Sequence, residues 1–286
     1  MYKTLYIIGN GFDLMHRMKT SYADFRKWLL INNKIDILFE LQTVFHERIN
    51  NSYLLWSDFE KALGLYDSEI AATWDIERLF LTEDTIGGQS IFSPTFLLDP
   101  SLKSIVDDSF CSWVKQIEMV GDPIVSFKQE SVFLSFNYTD TLEKTYDIPG
   151  EKVLHIHGCC RAGNGIIVGH RYLVDPFDFT IDGVDFRENN SRIQHMCEIN
   201  DLYKPIEKII DKHHSFFDGL SQVSQVIVMG HSYNEIDWPY FEKIKESVHK
   251  NAQWQCSWYT EQDIERVSKL MDHIRIDKCQ WALYKI

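Results

Sequence analysis

Five short stretches of this 286-residue chain carry side chains that bind ligands or move protons. The first is Gly9-Asn10-Gly11, with Asp13 close behind it. The others are Asn137-Tyr-Thr-Asp140, His157-Gly158, Gly169-His170 and Gly230-His231-Ser232, the last running on to Asp237. Each follows a short apolar run. The two glycines around Asn10 permit positive φ and bring the backbone close to a ligand. A strand, a glycine turn and a helix start direct helix N–H groups at phosphate, so Gly9, Asn10 and Gly11 point to nucleotide binding. The turn lacks the third glycine of the dinucleotide fingerprint, and a plain tight strand–helix turn would use the same residues. Histidine titrates near neutral pH and can take up a proton, while Asn and Asp position water and hydroxyl groups. Turns favour Asn, Asp and Ser for local reasons too. The repeated arrival of Asn, Asp and His together is the stronger signal of a site.

The elements that must position these groups are legible as short apolar runs. Leu5–Ile8, Val132–Phe136, Val153–His157, Ile166–Val168, Val226–Met229, Trp254–Tyr259 and Trp281–Tyr284 read as strands. Several lack an apolar–polar alternation, which suits strands buried on both faces. Helices are expected after the Ser21–Asp24 and Ser57–Glu60 capping boxes, over 35–48, 100–118, about 200–219 and 262–272, and after Asp237, where Pro239 suits a first turn. Asp58 and Glu60 then favour the helix dipole, or else one of them lines a pocket beside the first glycine turn. Residues 82–99 read as a loop. The order implies an α/β fold: a mainly parallel sheet with helices on both faces and a mainly helical insertion at about 20–120, in a single domain over 1–286. In such sheets ligands bind outside the carboxyl ends of the strands. Asn10, Asp13, Asn137, Asp140, His157, His170, His231, Ser232 and Asp237 all fall there.

Composition narrows the classes. The 44% hydrophobic and 14% aromatic content fills a sizeable core. The net charge of −13, from 42 acidic against 29 basic residues, disfavours nucleic acid and anionic membranes as partners. No run approaches the roughly 20 apolar residues of a membrane span, and the first apolar run is too short for a signal peptide, so the expected compartment is the cytoplasm. The six cysteines contain no C-x-x-C pair, so they are expected to be free thiols and no zinc ribbon is expected.

The motifs Ile8-Gly-Asn-Gly-Phe-Asp13, Trp56-Ser-Asp-Phe-Glu60, Ser135-Phe-Asn-Tyr-Thr-Asp-Thr-Leu-Glu143, His155-Ile-His-Gly158 and Gly230-His-Ser-Tyr-Asn-Glu-Ile-Asp237 together resemble the bacteriophage abortive infection AbiH family. That resemblance implies an anti-phage role. More distantly the pattern is similar to the sirtuin (SIR2) proteins, with their Rossmann-like NAD-binding fold. This second resemblance implies NAD as substrate or ligand. It places Gly9, Asn10 and Gly11 on the first NAD turn, Asn137 near the nicotinamide ribose and His157 on the catalytic base. Gly230, His231 and Ser232 fall on a last ligand turn, with Asp13 and Asp140 as ribose or amide contacts. Two departures stand out. Sirtuins have Asn-x-Asp where this chain has Asn137-Tyr-Thr139 with Asp140 one place later, and the zinc ribbon is missing.

The implied activity is an NAD glycohydrolase. Cleavage of the nicotinamide–ribose bond passes through an oxocarbenium-like state and needs a base for the attacking water. One alternative is a non-catalytic sensor of NAD or ADP-ribose that signals to a partner. Another is a metal-dependent nuclease using His155, His157, Asp140 and His231. Two histidines separated by one strand residue face opposite ways, so they chelate one ion poorly, and no metal is expected. An unrestrained NADase would kill its own cell, so a trigger, of phage origin or through a homo-oligomer, is expected.

Overall fold

The computed structural model describes residues 2–35, 37–38, 59–63, 102–119, 122–163 and 165–286. Among these residues six strands form one sheet: β1 Thr4–Ile8, β2 Ser131–Ser135, β3 Val153–His155, β4 Gln225–Met229, β5 Gln253–Trp258 and β6 Trp281–Lys285. All pair in parallel, in the order β3-β2-β1-β4-β5-β6. This is a Rossmann-like, doubly wound arrangement, in which the order of strand addition switches sides between β1 and β4.

Side-chain alternation explains why β1 is apolar throughout. Leu5 and Ile7 join Val132, Leu134, Val226 and Val228 in one core, under the helices Ile206–Lys212, Trp238–Ser247 and Glu261–His273. Tyr6 and Ile8 join Phe133 and Ile227 in a second core on the opposite face, with Phe12 and Leu142 from the helices Asn10–Met15 and Thr141–Tyr146. A fully buried Leu or Ile contributes about 1.5–3 kcal/mol, so a strand buried on both faces has little freedom to slip register.

The apolar run Ile166–Val168 is not a strand. Gly158, at φ +85°, turns the chain back, and the Ile167 N–H donates to the His157 carbonyl at 2.9 Å. Three residues between flexible glycines form one such bond rather than a ladder. His170 forms an isolated parallel bridge with Tyr203. The segment expected to hold one helix near 200–219 holds two short ones, Ile206–Lys212 and His214–Asp218, after a long helix Phe186–Asp201. The helices at Tyr22–Ile31, Phe59–Leu63 and Leu102–Gln116 lie within the expected helical insertion. Asp58, the loop 82–99 and most of 35–48 lie outside the described residues.

Backbone contacts divide the chain into two compact units. The first comprises Met1–Ser21, Cys111–Ile167 and Pro205–Ile286, and so holds the whole sheet. The second comprises Tyr22–Phe110 and Val168–Lys204. In it Phe25 packs against Phe59 and Phe110 with ring centroids 6.0 and 5.3 Å away. Lys204 is fully buried there, and its ammonium donates to both Glu60 oxygens at 2.9 and 3.0 Å. Glu60 thus holds a cation within its own unit. Removing one partner of a buried pair strands the other charge, so Glu60→Ala is expected to cost about 3–5 kcal/mol in urea unfolding. Adding Lys204→Met should recover most of that loss. A Glu60→Ala protein that unfolds at the wild-type midpoint would rule this pairing out.

Candidate functional site

The parallel register aligns the strand ends. Ile8 of β1 pairs with Ser135 of β2 and Met229 of β4, and Ser135 pairs with His155 of β3. The next residues along each strand therefore share one edge: Gly9, Gly230, Phe136 and Ile156. Asn10, Asn137, His157 and His231 follow one residue later. Sheet pairing alone brings four separate sequence motifs together.

At the switch point between β1 and β4 the glycines are required by close approach. Gly11 N–H donates to Gly230 O at 2.8 Å and Gly9 N–H to Met229 O at 2.9 Å. A Cβ on Gly9 would lie 2.6 Å from the His231 Cα, and one on Gly11 2.7 Å from the Gly230 Cα. The Phe12 N–H is also used, by Gly9 O at 2.9 Å. Two of the first amides of the helix Asn10–Met15 are thus bonded within the protein. Asn10 and Ser232 are exposed beside this junction, and Asn10 Nδ2 donates to Thr20 O at 2.9 Å.

Asp13 is buried and accepts from Thr139 Oγ1 at 2.6 Å and Thr141 Oγ1 at 2.7 Å. Burial raises its carboxyl above the usual range; the bonds from Thr139 and Thr141, nearby Asn137 and the charge of His16 oppose that rise. Thr139, two residues past Asn137, thus holds the Asp13 carboxylate. Asn137 is only 6% exposed. Its N–H donates to Ser135 Oγ at 3.2 Å, while its carboxamide reaches full hydrogen-bond geometry with no described residue and interacts only loosely with the Asp13 carboxylate. Buried amide groups are almost always well paired, so this carboxamide has hydrogen-bonding capacity left unused. Asp140 pairs with Arg161, Nη1 to Oδ1 at 2.7 Å, and Arg161 also donates to Ile117 O.

Aromatic rings enclose the two histidines of the edge. The Phe136 ring stands edge-on to His157, His231 and Tyr240, with centroids 5.3, 4.6 and 5.5 Å away. His157 is 3% exposed, and its Nε2 lies 3.3 Å from the Tyr240 hydroxyl. The Tyr233 N–H donates to His231 Nδ1 at 2.8 Å, so the His231 ring proton sits on Nε2, 3.4 Å from Asp237 Oδ2. Tyr233 holds this geometry at φ +55°, unusual for an aromatic residue, through bonds from its hydroxyl to Ser257 O and from Trp238 Nε1 to its carbonyl. Asp237 sits at the N-cap of Trp238–Ser247 without a side-chain cap bond, and Pro239 lies in that helix's first turn.

The structure therefore brings Gly9, Gly11 and Gly230 into contact and sets Asn137 beside Asp13. His157 and His231 flank one Phe136 ring. Asp140 is taken by Arg161. His170 belongs to the second unit, where its Nε2 donates to Ile199 O and its Nδ1 accepts from the Tyr172 N–H; burial lowers its pKa. Thr139, Thr141, Glu143, Arg161 and Tyr240 complete the surroundings of the edge and were not singled out by chemistry in the sequence. Two threonines spaced to bracket Asp140 were the one available signal. Nothing local ties Arg161 to Asp140 or Tyr240 to His157.

Among the described residues no group of three or more His, Cys, Asp or Glu side chains is arranged to hold a metal ion. None of the described helices is long and apolar enough to cross a membrane. Residues 5–258 match the model of the bacteriophage abortive infection AbiH family. Neither the curated proteins nor the solved structures contain a match to this chain.

Proposed function

The chain belongs to the bacteriophage abortive infection AbiH family, so its role is an anti-phage one, and from that premise we propose that it binds NAD at the carboxyl edge of its sheet and hydrolyses the nicotinamide–ribose bond. The observation that carries this reading is the buried Asn137 carboxamide, its hydrogen-bonding capacity largely unused, on the edge that also holds His157, at the topological switch point of a doubly wound sheet. In the reaction, water adds to the anomeric carbon as the bond to nicotinamide breaks. Nicotinamide leaves as a neutral molecule and needs no strong acid. The proton released by the attacking water needs an acceptor, and His157 is suited to take it. Its contact to Tyr240, at 3.3 Å, is a long bond that a closer water or ribose hydroxyl can replace. The Asn137 carboxamide offers a donor and an acceptor to the sugar, and Asp13, held in place by Thr139 and Thr141, keeps lone pairs that can accept from a ribose hydroxyl or the amide.

A second reading, a sensor that binds NAD or ADP-ribose without turnover, is favoured by the burial of His157. A base 3% exposed meets substrate only after the edge opens. Incubating the purified protein with NAD and following nicotinamide and ADP-ribose by chromatography separates the two. Equal amounts of both products support the hydrolase. Thermal stabilisation by NAD with no product supports the sensor. Neither result, with purified protein or in extracts of phage-infected cells, would remove both.

A further inference from the structure

His155, the last residue of β3, is bonded on both sides. Its Nδ1 lies 3.1 Å from the backbone carbonyl of Asn137, and its Nε2 lies 2.9 Å from Glu143 Oε1. Both partners are acceptors, and a neutral imidazole has one N–H. Only the imidazolium satisfies both bonds. On loss of a proton the ring keeps the charge-assisted bond to Glu143 and turns a lone pair towards the Asn137 carbonyl. Asn137 is also tethered from the other side, because Thr139 and Thr141 of the same turn hold Asp13.

We propose that Glu143 and His155 are positioning residues for Asn137, clamping its backbone while His155 is protonated and releasing it when His155 is neutral, so that nucleotide capture weakens as pH rises. The capture part of this rests on the reading of the Asn137 edge as a nucleotide site; the clamp does not.

The charged surroundings are consistent with that role. Burial disfavours the imidazolium, but the bond and charge of Glu143, the Asn137 carbonyl and the charge of Asp140 together carry the His155 pKa above its ordinary value. Arg161 balances Asp140, and the thiol of Cys159, which burial pushes up, brings no charge near neutral pH. Because the folded pKa is raised, the clamp's contribution is complete below the unfolded histidine value of about 6.5 and is lost as pH rises through the folded value.

The test uses the full chain, with histidine side chains labelled for NMR and NAD as the probe. NAD affinity should fall at least about tenfold between pH 6 and 9, together with the His155 titration. Glu143→Gln should lower the midpoint of both. His155→Gln should leave a weak affinity that no longer varies with pH. A midpoint unmoved by Glu143→Gln, or a flat wild-type profile with NAD bound, overturns the proposal. If NAD does not bind at any pH, the nucleotide reading fails, and the clamp is judged by amide exchange. Residues 137–143 should then lose protection across the His155 titration in the wild type, and at lower pH in Glu143→Gln. The same exchange profile in both proteins overturns the clamp itself.

Discussion

Gly230→Ala is expected to be strongly destabilising. Gly230 has φ +65°, and a Cβ there would sit 2.2 Å from Phe12 N and 2.5 Å from the Gly11 carbonyl carbon. Those are backbone atoms of the turn after β1, so no rotamer change relieves the contact. The neighbouring strand turns must separate, breaking the Gly11 N–H to Gly230 O bond. Strain at positive φ costs of order 1–3 kcal/mol, and overpacking about as much again. Together they consume a large share of a stability of roughly 5–15 kcal/mol. Gly163 supplies the control: its φ is +72°, but nothing lies within 4 Å of its would-be Cβ. Gly163→Ala should show the backbone cost alone. Urea unfolding curves for the two variants measure the difference, and equal midpoints would contradict the close approach of the β1 and β4 turns.

The second large effect concerns the proposed activity. His157→Gln should reduce NAD hydrolysis by about 10²–10⁴-fold, the usual value of a general base, because the amide keeps volume but not basicity. His157→Ala should lose as much and also destabilise the protein, since the ring packs against Phe136 and Tyr240. Asn137→Ala should behave differently. Its carboxamide makes no well-formed internal hydrogen bond beyond a loose interaction with the Asp13 carboxylate, so its removal takes little from the fold and relieves the burial of a poorly bonded polar group. The melting temperature should stay level or rise, while stabilisation by NAD disappears. Such opposed effects on stability and binding mark a residue kept for a ligand. An Asn137→Ala protein that melts well below the wild type would show that the side chain is structural. Wild-type turnover unaffected by His157→Gln would move the base elsewhere on the edge.

The strands were legible because burial on both faces demands apolar runs. Leu5–Ile8 could be read as a strand without knowing its partners. Ile166–Val168 shows the limit of that signal: three apolar residues satisfy the pattern, but the turn at Gly158 leaves them one bond to His157 O instead of a ladder. Glu60 was readable as a capping residue from Ser57-x-x-Glu60. Its ion pair with Lys204, 144 residues away, was not. His170 resembled the other histidines, with a glycine before it and an apolar run before that. Its ring is nevertheless used up by Ile199 and Tyr172.

The sequence by itself determined which residues end strands, and therefore that Asn, Asp and His would collect at the carboxyl edge of a parallel sheet. It also determined where glycine is needed, because Gly9, Gly11 and Gly230 permit a backbone approach that no side chain allows. Only the tertiary structure decided what each polar group does there. It bonded Asp13 to Thr139 and Thr141 across more than 120 positions, gave Asp140 to Arg161, set His155 against the Asn137 carbonyl and left the Asn137 carboxamide without a well-formed bond. The physical reason is range. Strand and turn preferences act between neighbours in the chain, whereas a hydrogen bond between distant side chains exists only once the sheet order has set their separation.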